Sequence, residues 1–414
     1  MSQHLSSFLL QLIIIIITSR VFGYVFKRLG QPTVMGEILA GIFLGPSLLG
    51  SLFPAYLQFV FPPHSLDHMR ILSQVGLILF MFVIGMELDI KVLKQKAKTA
   101  FFISNASIIL PFILGFGLSY FLHDEFAPDG VPFYAFASFM GIAMSITAFP
   151  VLARIIRERK LRNNRIEAIA MTSAAINDVS GWCALAFIIA IAKAHTIYNS
   201  LYTLAATFAY IVFMFFVVRP LLQRFSIAKF KNNIVAKSTI AIIFIMMLLS
   251  SLCTELIGIH ALFGAFIAGV VMPPEWDLRK TITDKVEDVA LILLLPLFFV
   301  ITGLRTEINT LNTLSLWLVC ILVIATAILG KLGGSAFGAR IMGENAYDSL
   351  TIGALMNTRG LMELIILNIG FELGILKEEV FTMMVIMALF TTIMTTPLLN
   401  LLDKLYHKKE VEIT

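Results

Sequence analysis

Charge is scarce in this sequence. Asp, Glu, Lys and Arg make up 14% of its 414 residues, against about 25% in an ordinary soluble domain. Hydrophobic residues reach 58% and the mean hydropathy is +0.91, which excludes a soluble globular domain and a disordered chain. Cysteine is nearly absent. Cys183, Cys253 and Cys320 all lie in apolar runs without metal-ligand spacing. They read as small core hydrophobes, and a disulfide scaffold is excluded. No His-Glu-x-x-His occurs, so a zinc protease is set aside. Tyr347-Asp348 lies at a loop edge with no Gly-x-Gly-Asp after it, and Gly334-Ser335 has no matching His in a later span. Intramembrane aspartyl and serine proteases therefore lack their partners, and the chain is not read as an enzyme. The net charge of +5 is no nucleic-acid signal, because the basic residues collect in loops.

What the chain has instead is long hydrophobic runs. A membrane span needs about 20 apolar residues. Thirteen hydrophobic segments are counted, at approximately 6–27, 32–54, 70–88, 99–122, 132–156, 166–192, 197–222, 236–256, 258–273, 286–304, 312–340, 346–375 and 379–403, the eighth and ninth short and close together. The first lacks a small-residue cleavage site and continues into Arg20-Val-Phe-Gly, so it reads as a span and not a removed signal. One set of alternate loops, from Lys27 and Arg28 through Lys91, Lys94, Lys96, Arg159, Lys160, Arg162, Lys231 and Lys280 to Lys409, carries 24 of the 31 Lys and Arg residues. The other set carries Arg70, Lys193, Arg305 and Lys377, with acids such as Asp124, Glu125 and Asp129. That alternation puts the N-terminus outside and the C-terminus in the cytoplasm. The expected setting is a bacterial inner membrane.

The expected fold is an all-α polytopic membrane protein with inverted-topology repeats. Segments four to six and eleven to thirteen are each rich in small and polar residues. Each group has an interrupted helix in its middle member, as in secondary transporters. In segment five, Ser145-Ile-Thr147-Ala-Phe-Pro150 breaks the apolar run. Pro150 frees a carbonyl near Ile146, and the Thr147 hydroxyl is placed to enter that gap. Segment twelve reads Asn357-Thr358-Arg359-Gly360-Leu-Met-Glu363, a second break. Half-helix ends meeting at two such breaks need acids at their positive ends and bases at their negative ends. Arg359 and Glu363 share a helix face, so the pair serves either that compensation or transport itself.

The residue pointing most directly at chemistry is Asp178, next to Asn177 near the middle of segment six. A carboxylate at the bilayer centre is costly to keep charged, and such residues line ion pathways. A group of this kind holds either a proton or a metal cation. Lys331 lies about eleven residues from the end of its span. Either it has a carboxylate partner on another helix or the span boundary is shifted and it snorkels. Glu37, Glu255 and His260 are secondary: the two acids fall near span ends, and His260 reads as structural.

The motif Gly30-Gln-Pro-Thr-Val-Met-Gly-Glu37-Ile-Leu-Ala-Gly-Ile-Phe-Leu-Gly45-Pro46-Ser47 resembles the second-span signature of the monovalent cation:proton antiporter superfamily. It is most similar to the branch of bacterial potassium-efflux antiporters and plant cation/proton exchangers. Leu295-Pro-Leu-Phe-Phe-Val and Asn357-Thr-Arg-Gly-Leu-Met-Glu363-Leu are similar to the plant-type exchangers. The likeness runs from about residue 10 to 403. It implies exchange of Na+ or K+ for protons by an elevator motion, in a homodimer embedded in the lipid bilayer, with no cofactor. Scaffold helices would occupy 1–95 and 235–308, the transport core 96–193 and 309–403, a linker helix 194–234 and a short cytoplasmic tail 404–414. By this likeness Asp178 carries cation or proton, with Asn177 and Thr147 beside it and Asn357, Thr358 and Arg359 at the second crossing. Asn177 stands where two-acid electrogenic relatives have an acid, yet Lys331 resembles the core lysine of those same relatives. Stoichiometry is thus left open, as is the choice between Na+ and K+, since hard oxygen ligands suit both. A channel without proton coupling is the competing reading; saturation and coupling to pH separate the two. Many relatives append a cytoplasmic regulatory domain, whereas about ten residues follow the last span here.

Overall fold

The computed structural model describes residues 2–62, 66–87, 97–159, 164–193, 197–229, 237–273 and 289–411, together with Arg279, Ile282, Thr283, Lys285 and Val286. Of the loop bases above, Lys91, Lys94, Lys96, Lys160, Arg162, Lys231 and Lys280 lie outside the described residues. Among those described, the chain is helical and carries no strand. The principal helices are α1 (Ser2–Arg28), α2 (Thr33–Leu44), α3 (Leu66–Glu87), α4 (Ala97–Phe126), α5 (Phe133–Ala143), α6 (Phe149–Arg159), α7 (Asn164–Lys193) and α8 (Ile197–Phe213). They continue with α9 (Lys237–Ile257), α10 (Ala261–Val270), α11 (Leu295–Leu304), α12 (Leu314–Ile341), α13 (Ala346–Met356), α14 (Leu361–Glu372) and α15 (Glu378–Val411).

Ten described helices are long and apolar enough to cross a membrane. An eleventh span arises if α13 and α14, bent by 44° at a short break, count as one. The remaining two of the thirteen expected segments are built differently. Segment five is split into α5 and α6, and segment nine is the ten-residue α10. A span count of thirteen is therefore not established by helix length alone. Large apolar side chains are presented outward along many helices. Phe121, Leu256 and Leu329 are each more than two-thirds exposed, as suits side chains in contact with lipid and not with water.

The chain divides into two compact units. The first comprises residues 1–16, 60–89 and 186–298. Here α3 crosses α10 through glycine on glycine. A Cβ on Gly85 would lie 2.2 Å from the Phe266 carbonyl oxygen, and one on Gly269 would lie 2.2 Å from that of Phe82. Only hydrogen at both positions allows that approach, the close helix contact that small residues permit in membranes. Ser250 of α9 donates to the Gly264 carbonyl at 2.7 Å, and the Tyr210 hydroxyl lies 2.5 Å from the Ser250 Oγ. Glu255 and His260, the uncertain polar pair of the sequence, both cap α10. The Glu255 carboxylate accepts from the Ala261 N–H at 2.9 Å, and His260 Nδ1 accepts from the Leu262 N–H at 3.4 Å.

The second unit comprises residues 17–59, 90–185 and 299–414. Within it α4 packs closely against α12. Gly330 and Gly334 on α12 would drive a Cβ to 2.7 Å from Pro111 Cα and 2.6 Å from the Ala106 carbonyl oxygen, respectively. Gly333, on another face, meets nothing within 4 Å. The glycines around Lys331 thus set how closely two helices lie together. Leu152, Ile155 and Ile156 of α6 pack with Ile166, Ile169 and Ala170 of α7, Ile352 and Leu355 of α13, and Leu399 and Leu402 of α15. That apolar cluster fixes the two interrupted helices against α7, the helix bearing Asp178.

Candidate functional site

The two breaks face each other. α5 stops at Ala143 and α6 starts at Phe149; α13 stops at Met356 and α14 starts at Leu361. A break leaves backbone groups without helical partners, and here each break supplies the other. The Thr147 hydroxyl donates to the Met356 carbonyl at 2.9 Å, and the Ala148 N–H donates to the Thr358 carbonyl at 3.0 Å. This differs from the sequence expectation, in which Thr147 filled a gap in its own helix. Pro150 explains the difference. It falls in the first turn of α6, where no N–H is required, so it starts a half-helix and does not kink a continuous one.

The helix ends carry matching charge or polarity. Arg359 is fully buried and donates to the Ala143 and Met144 carbonyls at 3.0 and 2.7 Å, the negative end of α5. It also meets Glu363 Oε1 at 3.2 Å. Glu363 itself lies in the first turn of α14, at a positive end. At the start of α6, Asn177 Oδ1 accepts from the Thr147 N–H at 2.8 Å, and the Asp178 carboxylate accepts from the Phe149 N–H. Thr392 of α15 spans the second break. Its hydroxyl accepts from the Arg359 N–H and donates to the Arg359 carbonyl, each at 2.9 Å.

Lys331 is fully buried, so it does not snorkel. Two of its three N–H donors go to the backbone carbonyls of Ser107, at 3.1 Å, and Ser145. Asp178 acts on it through charge, as do Arg359 and Glu363. Its direct partners are therefore a carbonyl inside α4 and one just past the end of the half-helix α5, and not a carboxylate. Asn177 Nδ2 donates to the Ser107 hydroxyl at 2.9 Å. Asp178 is 2% exposed, and among the described residues its Oδ1 has no hydrogen-bond partner.

Thr147, Asn177, Asp178, Lys331, Arg359, Glu363 and the break at 357–360 are thus brought together. Glu37 is only half-buried, and Glu255 is exposed and belongs to the other unit. The sequence reading did not single out Ser107 or Thr392. Both had a signal: Ser104-Asn105-Ala-Ser107 and Thr391-Thr392 are polar clusters inside apolar spans.

The sodium/hydrogen exchanger transmembrane profile matches residues 13–401. The chain belongs to that family. It is 43% identical over 391 residues to the Na(+)/H(+) antiporter NhaS4 of Synechocystis sp., covering 94% of this chain and 95% of that one. It is 42% identical to cation/H(+) antiporter 17 of Arabidopsis thaliana and 33% identical to K(+)/H(+) antiporter 1 of Saccharomyces cerevisiae. These two matches span 94% and 97% of this chain but only 47% of either relative. The sodium proton antiporter MjNhaP1 from Methanocaldococcus jannaschii superposes with a TM-score of 0.72 over 97% of this chain and 96% of that one. Its identity is 17%, so it shows a shared fold.

Proposed function

We propose that this exchanger-family chain moves a monovalent cation, Na+ or K+, in one direction and protons in the other, with Asp178 binding either. The observation that carries this is Asp178 itself: a buried carboxylate at the start of a half-helix, with one oxygen uncommitted. A half-helix N-terminus favours the anionic form, while burial opposes it. A cation or a proton neutralises the group, and each displaces the other. Segments 96–193 and 309–403 act as the transport core, moved against scaffold helices in a homodimer by the elevator motion that the family resemblance implies. A channel is disfavoured, since the chain belongs to an exchanger family and the relatives named above are antiporters. Everted membrane vesicles test the reading. Adding Na+, K+ or Li+ singly should dissipate a preset proton gradient with saturating kinetics; linear flux without proton movement would overturn it.

The exchange is one cation for one proton. Asn177 contributes no charge and the Glu363 carboxylate is ion-paired with Arg359, so Asp178 is the carboxylate left to neutralise a cation. One carboxylate neutralises one cation or one proton, and the loaded core carries the same charge in both directions while Lys331 keeps its own charge. Moving one unbalanced charge is worth about 2.3 kcal/mol per 100 mV, so voltage distinguishes the alternatives. In liposomes at a clamped potential, flux is expected to be indifferent to voltage. A voltage dependence that disappears in Lys331→Gln would make Lys331 a second proton carrier instead.

The loop charges orient the chain with Glu125 and Asp129 outside and Arg159 in the cytoplasm. Single cysteines at these positions test this in intact cells. An impermeant reagent should label position 129 and spare 159; the reverse pattern rejects the topology.

A further inference from the structure

At the break between α13 and α14, the buried side-chain atoms without a hydrogen-bond partner among the described residues are Arg359 Nε, Glu363 Oε2 and both polar atoms of Asn357. The Met356 and Thr358 carbonyls accept from Thr147 and Ala148. The Asn357 N–H donates to the Gly353 carbonyl at 3.1 Å, and the Thr358 N–H to that of Leu355 at 3.2 Å. The Thr358 hydroxyl donates to the Leu355 carbonyl at 2.8 Å, and the Arg359 guanidinium serves Ala143, Met144 and Glu363. Arg359 and Glu363 each keep other side-chain bonds. The Asn357 side chain keeps none: it is fully buried, and among the described residues neither Oδ1 nor Nδ2 has a partner.

Local structure does not call for asparagine there. Its φ of −80° and ψ of 2° are open to any residue, so the left-handed tolerance that places Asn after many helices is unused. Burying an amide with both polar atoms unmet carries a standing cost that a methionine or leucine would avoid. The position of residue 357 indicates what the amide is for. The hydrogen bonds from Thr147 and Ala148 bracket it on either side, which holds it against residues 147–149. The same three residues receive Asn177 and Asp178 from α7, through the N–H groups of Thr147 and Phe149. Asp178 and Asn357 thus approach one short stretch of backbone from two helices, and each brings an oxygen without a partner.

We propose that Asn357 is a direct ligand of the transported cation, its side-chain carbonyl oxygen facing the ion that Asp178 neutralises. An amide oxygen is a hard, uncharged donor of the kind that replaces water around alkali and alkaline-earth cations. It assists dehydration without adding charge, so the one-for-one balance is kept. The Nδ2 group has a use in the other half of the cycle, as a donor to a polar oxygen when no cation is held. This inference rests on the exchange reading at Asp178.

The test is transport by purified protein in liposomes, with saturation curves for Na+, K+ and Li+ taken separately. Asn357→Ala is expected to raise the half-saturating concentration of the transported cation by about 10- to 100-fold, the usual loss for a contact to a charged group, with a much smaller change in maximal rate. Asn357→Asp keeps the shape and adds a carboxylate, so flux should become voltage-dependent and the ranking of the three cations should change. The inference is overturned if Asn357→Ala saturates like the unaltered protein for every cation. It is also overturned if folded Asn357→Asp keeps the original ranking and voltage indifference, or if neither variant folds, since Asn357 is then structural. A dead Asp178→Asn beside an unaffected Asn357→Ala removes this inference alone. Absence of proton-coupled flux in the unaltered protein removes the exchange reading and this one with it.

Discussion

Asp178→Asn is expected to abolish cation/proton exchange while leaving a folded protein. The amide keeps the size of the carboxylate and still offers an oxygen to the Phe149 N–H. It loses the charge and the ability to take a proton. A cation entering the site then has no counter-charge on α7, while Lys331 and Arg359 remain near it. An uncompensated charge within the bilayer costs about 3 kcal/mol or more, which is about a hundredfold in occupancy or rate. Initial rates in liposomes should therefore fall to background, and the melting temperature should stay close to that of the unaltered protein. Exchange at a normal rate in this variant would remove Asp178 from its assigned role.

The sign of the pH dependence follows from the same competition. Proton and cation neutralise one carboxylate, so lowering the pH fills it with protons and weakens apparent cation affinity. On the acidic side of its titration, the half-saturating cation concentration should rise by about tenfold per pH unit; on the alkaline side it should level off. An affinity unchanged by pH across both limbs would mean that proton and cation bind elsewhere than on one group.

Much of this arrangement was legible in the sequence because a membrane interior makes polar residues conspicuous. Asp178, Lys331 and the run Asn357-Thr358-Arg359 stand out against apolar spans, and breaks and buried charges follow from that contrast. Partner choice was much less legible. Lys331 invited the search for a carboxylate, yet its bonds go to Ser107 and Ser145 carbonyls. A carbonyl leaves no mark in the sequence, because every residue has one. Thr147 was placed at the first break, but the acceptor it found, Met356 on the facing break, depends on how two half-helices approach. The glycines beside Lys331 have no such conspicuous signal, and their use emerged only from the closeness of α4 to α12.

Arg359→Met should be the most damaging single substitution for stability. Arg359 is fully buried, and its guanidinium binds two carbonyls at the end of α5 and the carboxylate of Glu363. Removing it leaves Glu363, 1% exposed, as a buried acid without its ion-pair partner, and two carbonyls short of a donor. Breaking a buried pair on one side costs about 3–5 kcal/mol, a large share of the roughly 5–15 kcal/mol that holds a folded protein together. In detergent, the variant should melt far below the unaltered protein or fail to elute as a folded species. Arg359→Lys should recover part of the loss, because an ammonium restores the charge but not the fork that reaches two carbonyls and a carboxylate at once. The double variant Arg359→Met with Glu363→Gln isolates the terms. It removes the stranded charge and leaves only the orphaned carbonyls, so it should melt above Arg359→Met alone. If the single variant melts like the unaltered protein, the end of α5 is held by other contacts, and Arg359 is then free to be judged as part of the transport chemistry.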